Sequence, residues 1–252
     1  MIVLALLIAL LCQPAWAKGP DLGDIGFDQR PGATVPLDTV LRAEDGTPVT
    51  LKAAMRTRPT VLALGYFHCT TLCGVVRADL LDGLSRSGLR AGSDYTLLAV
   101  SIDPSETAAD AAAARRQENA RYPLPGNVSS VQYLTGDAAA IETAVGFHAR
   151  FDQDTKQFLH PAGLVFLNTA GTVSGYLLGV GYKPGELRAG ILRARDGGIA
   201  KAVLPVLLLC FHFDPATGRY TLAVMRLLQI AGGLTVLTVG GTIMLALRKE
   251  RR

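Results

Sequence analysis

What this 252-residue chain lacks narrows its function before any motif is read. Its main body has no basic surplus: residues 1–220 carry 20 Lys and Arg against 20 Asp and Glu. A nucleic-acid-binding domain needs a basic surface, so that class is excluded. The formal net charge of +4 comes from Arg226 and the tail residues Arg248, Lys249, Arg251 and Arg252, less Glu250. Charge placed there is a membrane-topology signal. No glycine-rich phosphate loop follows any strand-like run. No internal repeat occurs, and low complexity is confined to an Ala cluster at 108–114. Cysteine and histidine are scarce, with four of each.

Apolar residues, by contrast, are abundant, at 49% with a mean hydropathy of +0.29, which is high for a soluble domain and points to membrane segments. At the N-terminus, Ile2–Leu11 is almost purely apolar and Ala15-Trp16-Ala17 precedes Lys18. A short apolar core followed by a small-x-small triplet is a secretory signal, cleaved here after Ala17 and carrying Cys12 away with it. Near the C-terminus, Leu227–Leu247 is apolar except for Gln229 and small Thr and Gly residues. At about 1.5 Å per residue it spans roughly 30 Å, the thickness of a hydrocarbon core. The basic residues that follow belong on the cytoplasmic side. The expected organisation is a signal peptide (1–17), an N-terminal extension with a hairpin (18–58) and a core domain (59–200). A juxtamembrane segment (201–226), a transmembrane helix (227–247) and a cytoplasmic tail (248–252) follow. This places a single-pass protein in the cell membrane with its main domain extracytoplasmic, on the periplasmic side. That face is oxidising, so a close cysteine pair there is a disulfide, a redox couple or a soft-metal site.

Within the core, Thr60–Tyr66 follows Pro59 as a continuous apolar run of strand length, and Tyr95–Ile102 is a second. Val131–Leu134 is a short third strand. Helices are expected over Val75–Ser85, Ser105–Arg121 (capped by Asp103 or Ser105), Asp137–Gly146 and Pro184–Arg195, the last opened by a proline suited to the first turn. Gly163–Asn168 and Thr172–Leu178 flank Thr169-Ala-Gly171, a hairpin signature. In the extension, Thr34–Thr39 is strand-like and Glu44-Asp-Gly46 a turn. Alternating strands and helices predict an α/β fold around a mixed sheet. Parallel crossovers followed by a late antiparallel hairpin are the thioredoxin-like arrangement.

Cys69-Thr-Thr-Leu-Cys73 lies between the first core strand and the first helix. Side chains four apart on a helix share a face, and a helix N-terminus favours the thiolate, which is both nucleophile and metal ligand. The spacing is one residue wider than that of dithiol oxidoreductases.

The segment Gly65-Tyr-Phe-His-Cys69-Thr-Thr-Leu-Cys73 resembles the copper site of the Sco/SenC family, accessory proteins of cytochrome c oxidase assembly. Val100-Ser-Ile-Asp103-Pro104 is similar to that family's SIDP segment, and Leu159-His160 stands where the family carries its histidine ligand. The resemblance covers residues 30–195. It implies a thioredoxin-like fold that binds copper through Cys69, Cys73 and His160. The function implied is that of a copper chaperone, which delivers copper to the copper-bearing subunit of cytochrome c oxidase or another copper protein, or reduces the thiols of that subunit. Thiolates and imidazole suit Cu(I), and the same set with a water could hold Cu(II). Three protein ligands leave an open position, which a metal donor needs, whereas a structural zinc site wants four. The chain departs from the family where Thr71 and Gly74 replace common prolines, and where Leu159 replaces the acidic residue that commonly precedes the histidine.

The alternative function is a thiol–disulfide oxidoreductase or redox sensor using Cys69 and Cys73 as its catalytic pair. A peroxide-reducing thiol would further need a nearby arginine, and Arg77 is the candidate. His68 abuts Cys69 and could tune its thiol, His148 follows a helix as a surface residue, and Asp103 either approaches the site or caps a turn. Cys210-Phe-His212 has three readings: a buried free cysteine with a membrane-interface histidine, an auxiliary metal site, or a disulfide between Cys210 and one of Cys69 and Cys73.

Overall fold

The computed structural model of the chain describes residues 25–68, 72–153 and 155–202, with 213–214, 219–220, 231–233, 235 and 238–241 beyond them. Backbone contacts divide the chain into two units, one of Asp24–Leu208 and one of Met1–Gly23 with Leu209–Arg252.

In the first unit, β1 (Gly26–Phe27), β2 (Val40–Arg42), β3 (Pro48–Thr50) and α1 (Leu51–Met55) precede the apolar run that becomes β4 (Thr60–Gly65). Then come α2 (Leu72–Ser85), β5 (Thr96–Ser101), α3 (Ala108–Arg121), β6 (Val131–Leu134) and α4 (Ala139–Val145). Three short strands, β7 (Phe147–His148), β8 (Arg150–Asp152) and β9 (Gln157–Leu159), lead to the hairpin β10 (Gly163–Leu167) and β11 (Val173–Leu178), and α5 (Pro184–Arg195) closes the unit.

Five strands form the central sheet in the order β11-β10-β4-β5-β6. β4, β5 and β6 run parallel, while β10 is antiparallel to both β4 and β11. This is the thioredoxin-like α/β arrangement. Strands read as unbroken apolar runs because both faces are covered. On one face Leu62, Leu64, Leu98 and Val100 pack with Leu51, Ile141 and Val165; on the other Val61, Ala63, Leu97 and Ala99 pack with Leu80, Leu84 and Ile191.

The expected strands and helices of the core are found, with shifted ends. The second expected helix start is corrected: α3 begins at Ala108 with Thr107 as N-cap, not Ser105 or Asp103. The Asp110 carboxylate accepts from both the Thr107 N–H (2.8 Å) and its hydroxyl (2.6 Å), while Asp103 closes its own turn by accepting from the Ser105 N–H at 2.8 Å. Thr34–Thr39 is not a strand; it contributes one bridge, Thr34 to Thr172, and the hairpin is β2–β3.

In the second unit β12 (Phe213–Asp214) and β13 (Arg219–Tyr220) pair antiparallel. Among the described residues no helix is long and apolar enough to cross a membrane. The proposed signal peptide and most of Leu227–Leu247 lie outside those residues, as do Cys12, Cys210 and His212.

Candidate metal centre

The parallel strands β4 and β5 end side by side, and the Ile102 N–H donates to the Gly65 carbonyl at 2.8 Å as their last rung. Tyr66, Phe67 and His68 therefore leave the sheet at its carboxyl edge, where open α/β sheets place their sites. Cys69 follows directly and lies outside the described residues. Cys73 falls in the first turn of α2, which begins at Leu72, three residues before the expected Val75.

His160 sits in the connection between β9 and β10, at the same edge. Its ring lies 5.9 Å from the Tyr66 ring and 6.1 Å from that of Phe147, centroid to centroid. Its Nδ1 is 3.0 Å from the Pro161 carbonyl oxygen. A carbonyl only accepts, so in this contact Nδ1 is the donor. Pro161 thus takes part in orienting the ring. His160 lines a small cavity together with Gly65, Phe67, Val76 and Arg77. Phe67 is two residues before Cys69 and Val76 three after Cys73, so the flanks of both cysteines converge with the histidine on one space.

Two buried ionic groups support the approach to Cys69. The Glu106 side chain is fully covered and accepts from the Phe67 N–H (2.8 Å), the His68 N–H (2.6 Å) and the Ser101 hydroxyl (2.6 Å). Burying a lone carboxylate costs several kcal/mol, and charge-assisted hydrogen bonds of about 1.5–3 kcal/mol each offset that cost. On the other side Arg77, 7% exposed, donates from Nη1 to the Tyr66 carbonyl at 3.0 Å and pairs through Nε with Glu118 at 2.7 Å. Its guanidinium lies 5.6 Å from the centre of the Phe67 ring, which packs on Tyr133 from another side. Burial and the neighbouring Glu118 push the Tyr133 phenol far up from its usual range. Among the described residues the Arg77 guanidinium engages Tyr66, Glu118 and Phe67.

The His68 ring is bracketed by two carboxylates, with Nδ1 3.1 Å from Glu106 and Nε2 3.3 Å from Asp110. His148 is half exposed and pairs with Asp28 at 3.0 Å, consistent with a surface residue. Asp103 caps its turn and directs the chain back so that Glu106 reaches under the loop. Among the described residues, which omit Cys69, no three acidic, cysteine or histidine groups cluster as a metal site. Glu106 and Arg77's grip on the loop were missed from the sequence; the short Asp103-Pro104-Ser105-Glu106 turn was their only local signal.

The SCO1/SenC family model matches residues 34–194. Among solved structures, Arabidopsis thaliana ScoI with copper bound superposes with a TM-score of 0.51 at 18% identity, covering 64% of this chain and 99% of that one. A SCO1/SenC family lipoprotein from Bacillus anthracis str. Ames gives 0.53 at 15% identity, covering 66% of this chain and 97% of that one. No curated protein matches the chain. At those identities the structures share the fold, while the family model spans well over half of the sequence, including Cys69, Cys73 and His160. The chain belongs to the SCO1/SenC family.

Proposed function

We propose that this protein is an extracytoplasmic, membrane-anchored copper carrier that holds copper as cargo on Cys69, Cys73 and His160 and hands it to the copper-bearing subunit of cytochrome c oxidase. The observation that carries this reading is the convergence of His160 with the flanks of both cysteines on one cavity. The donor set fits the cargo: two thiolates and an imidazole suit a soft ion, and three ligands leave room for an acceptor's group. Tyr66 and Phe147 hold the imidazole ring in place, and the helix start at Cys73 favours its thiolate. The copper-bound ScoI of Arabidopsis thaliana supports the same cargo.

The test is titration of the reduced full-length chain with Cu(I) against a chromophoric chelator. One tight copper per chain is expected, lost in Cys69→Ala, Cys73→Ala and His160→Ala. Binding by His160→Ala equal to that of the wild type would remove His160 from the site. The same variant separates the two uses of the thiols: reduction of a partner's disulfide survives it, and copper carriage does not.

A further inference from the structure

The peptide plane joining Tyr66 to Phe67 is held at both ends by buried charges of opposite sign. Its carbonyl accepts from Arg77, and its N–H donates to Glu106. The next N–H, that of His68, donates to the second oxygen of the same carboxylate. Ser101, the last residue of β5, donates its hydroxyl to Glu106 and so ties the carboxylate to the sheet itself. The Tyr66–Phe67 and Phe67–His68 peptide groups, which precede the one that leads into Cys69, are therefore immobilised by side chains rather than by strand pairing.

Such an arrangement exceeds what the fold needs. Beyond the last rung of a sheet, peptide groups normally meet water, and a turn carries its own hydrogen bonds. Here a fully buried carboxylate is retained for three donors, with the His68 ring 3.1 Å from it, while Arg77 across the peptide plane is paired with Glu118. The chain keeps that buried charge directly beneath a loop whose one chemical asset is a thiol.

We infer that Glu106 is a positioning residue for Cys69: it fixes the backbone from which the thiol projects, acting from beyond the ligand set. The inference rests on the proposed use of Cys69 as metal ligand and redox thiol. Its consequence is preorganisation. Residues that orient metal ligands from outside typically change affinity by 10- to 100-fold when removed. Glu106→Gln keeps the size of the side chain but removes the charge and one of the two backbone acceptors. It frees Cys69 to move, and that added freedom is worth more to the open dithiol than to the ring-closed disulfide.

Two measurements on the full-length chain test this, each below the variant's own melting temperature. In chelator competition, Glu106→Gln should bind Cu(I) roughly 10- to 100-fold more weakly than the wild type. In equilibration with reduced and oxidised glutathione, which needs no copper, it should shift the Cys69/Cys73 couple toward the dithiol by roughly tenfold. Ser101→Ala, which leaves the carboxylate in place with one donor fewer, should move both readings in the same direction by roughly two- to tenfold. A merely structural role predicts lower melting temperatures with both readings within a factor of two of the wild type, and that result overturns the inference. A wild type that binds no copper would instead defeat the proposed cargo site, and the glutathione equilibrium would still decide the role of Glu106.

Discussion

Asp110 joins two features at the scale of single side chains: it receives both donors of Thr107 at the start of α3 and faces the His68 ring. The Thr107 hydroxyl first, and then its N–H, hold the Asp110 carboxyl below the usual carboxylate range. A carboxyl lowered on folding adds stability above its unfolded value of about 4, and that stability is lost as the pH falls through the folded value. Asp110→Asn should therefore cost up to about 0.5 kcal/mol at neutral pH, a modest figure because the side chain is partly exposed and screened. The gap to the wild type should close in urea melts as the pH is lowered through the folded value. Persistence of the full gap there would mean that the charge contributes nothing. Chemistry-bearing types such as Cys69, Cys73 and His160 stood out in the sequence because their spacing and rarity carried meaning. Glu106 did not, since an ordinary acid becomes significant only when distant strands and helices bury it, and Arg77 stood out only as a neighbour of the thiols, not for the carbonyl and carboxylate it holds.

Elements were legible in proportion to their length. The apolar runs of β4 and β5 and the proline-opened α5 could be read directly, because burial on both sheet faces leaves an unbroken hydrophobic signature. Strands β7, β8 and β9 span two or three residues each, too few for any alternation to register. They matter for the site, however, since β8 and β9 pair just before His160 and stack Phe158 on Tyr66 at 5.8 Å. The close approach of α5 to the sheet was equally hidden. A Cβ at Gly190 would stand 2.5 Å from the ring of Phe166, which is 3% exposed and has no room to withdraw. Gly190→Ala gains up to about 1 kcal/mol in helix propensity but overpacks at a cost of about 1–3 kcal/mol. A net loss of about 1 kcal/mol in chemical denaturation is expected, with partial recovery on adding Phe166→Leu. Additive effects of the two changes would show that they do not meet.

The whole molecule combines a thioredoxin-like unit with a second unit in which the described strands β12 and β13 pair. The proposed anchor in that second unit makes a topological prediction: a reporter fused after Arg252 should be active only where it reads the cytoplasm. An extracytoplasmic signal from that fusion would refute the single-pass arrangement. Within the first unit, strand order carries a further consequence. β4 precedes the cysteines, β10 follows His160, and the two are neighbours in the sheet although about a hundred residues separate them, Val61 pairing with Phe166. Contacts so distant in sequence form late and slowly in folding, because a long loop must first be closed. A nascent chain that has displayed both thiols therefore still lacks the imidazole until β10 takes its place beside β4. Under the proposed function, ion capture is in this way timed to that late pairing, and a half-folded intermediate offers only an ordinary pair of thiols.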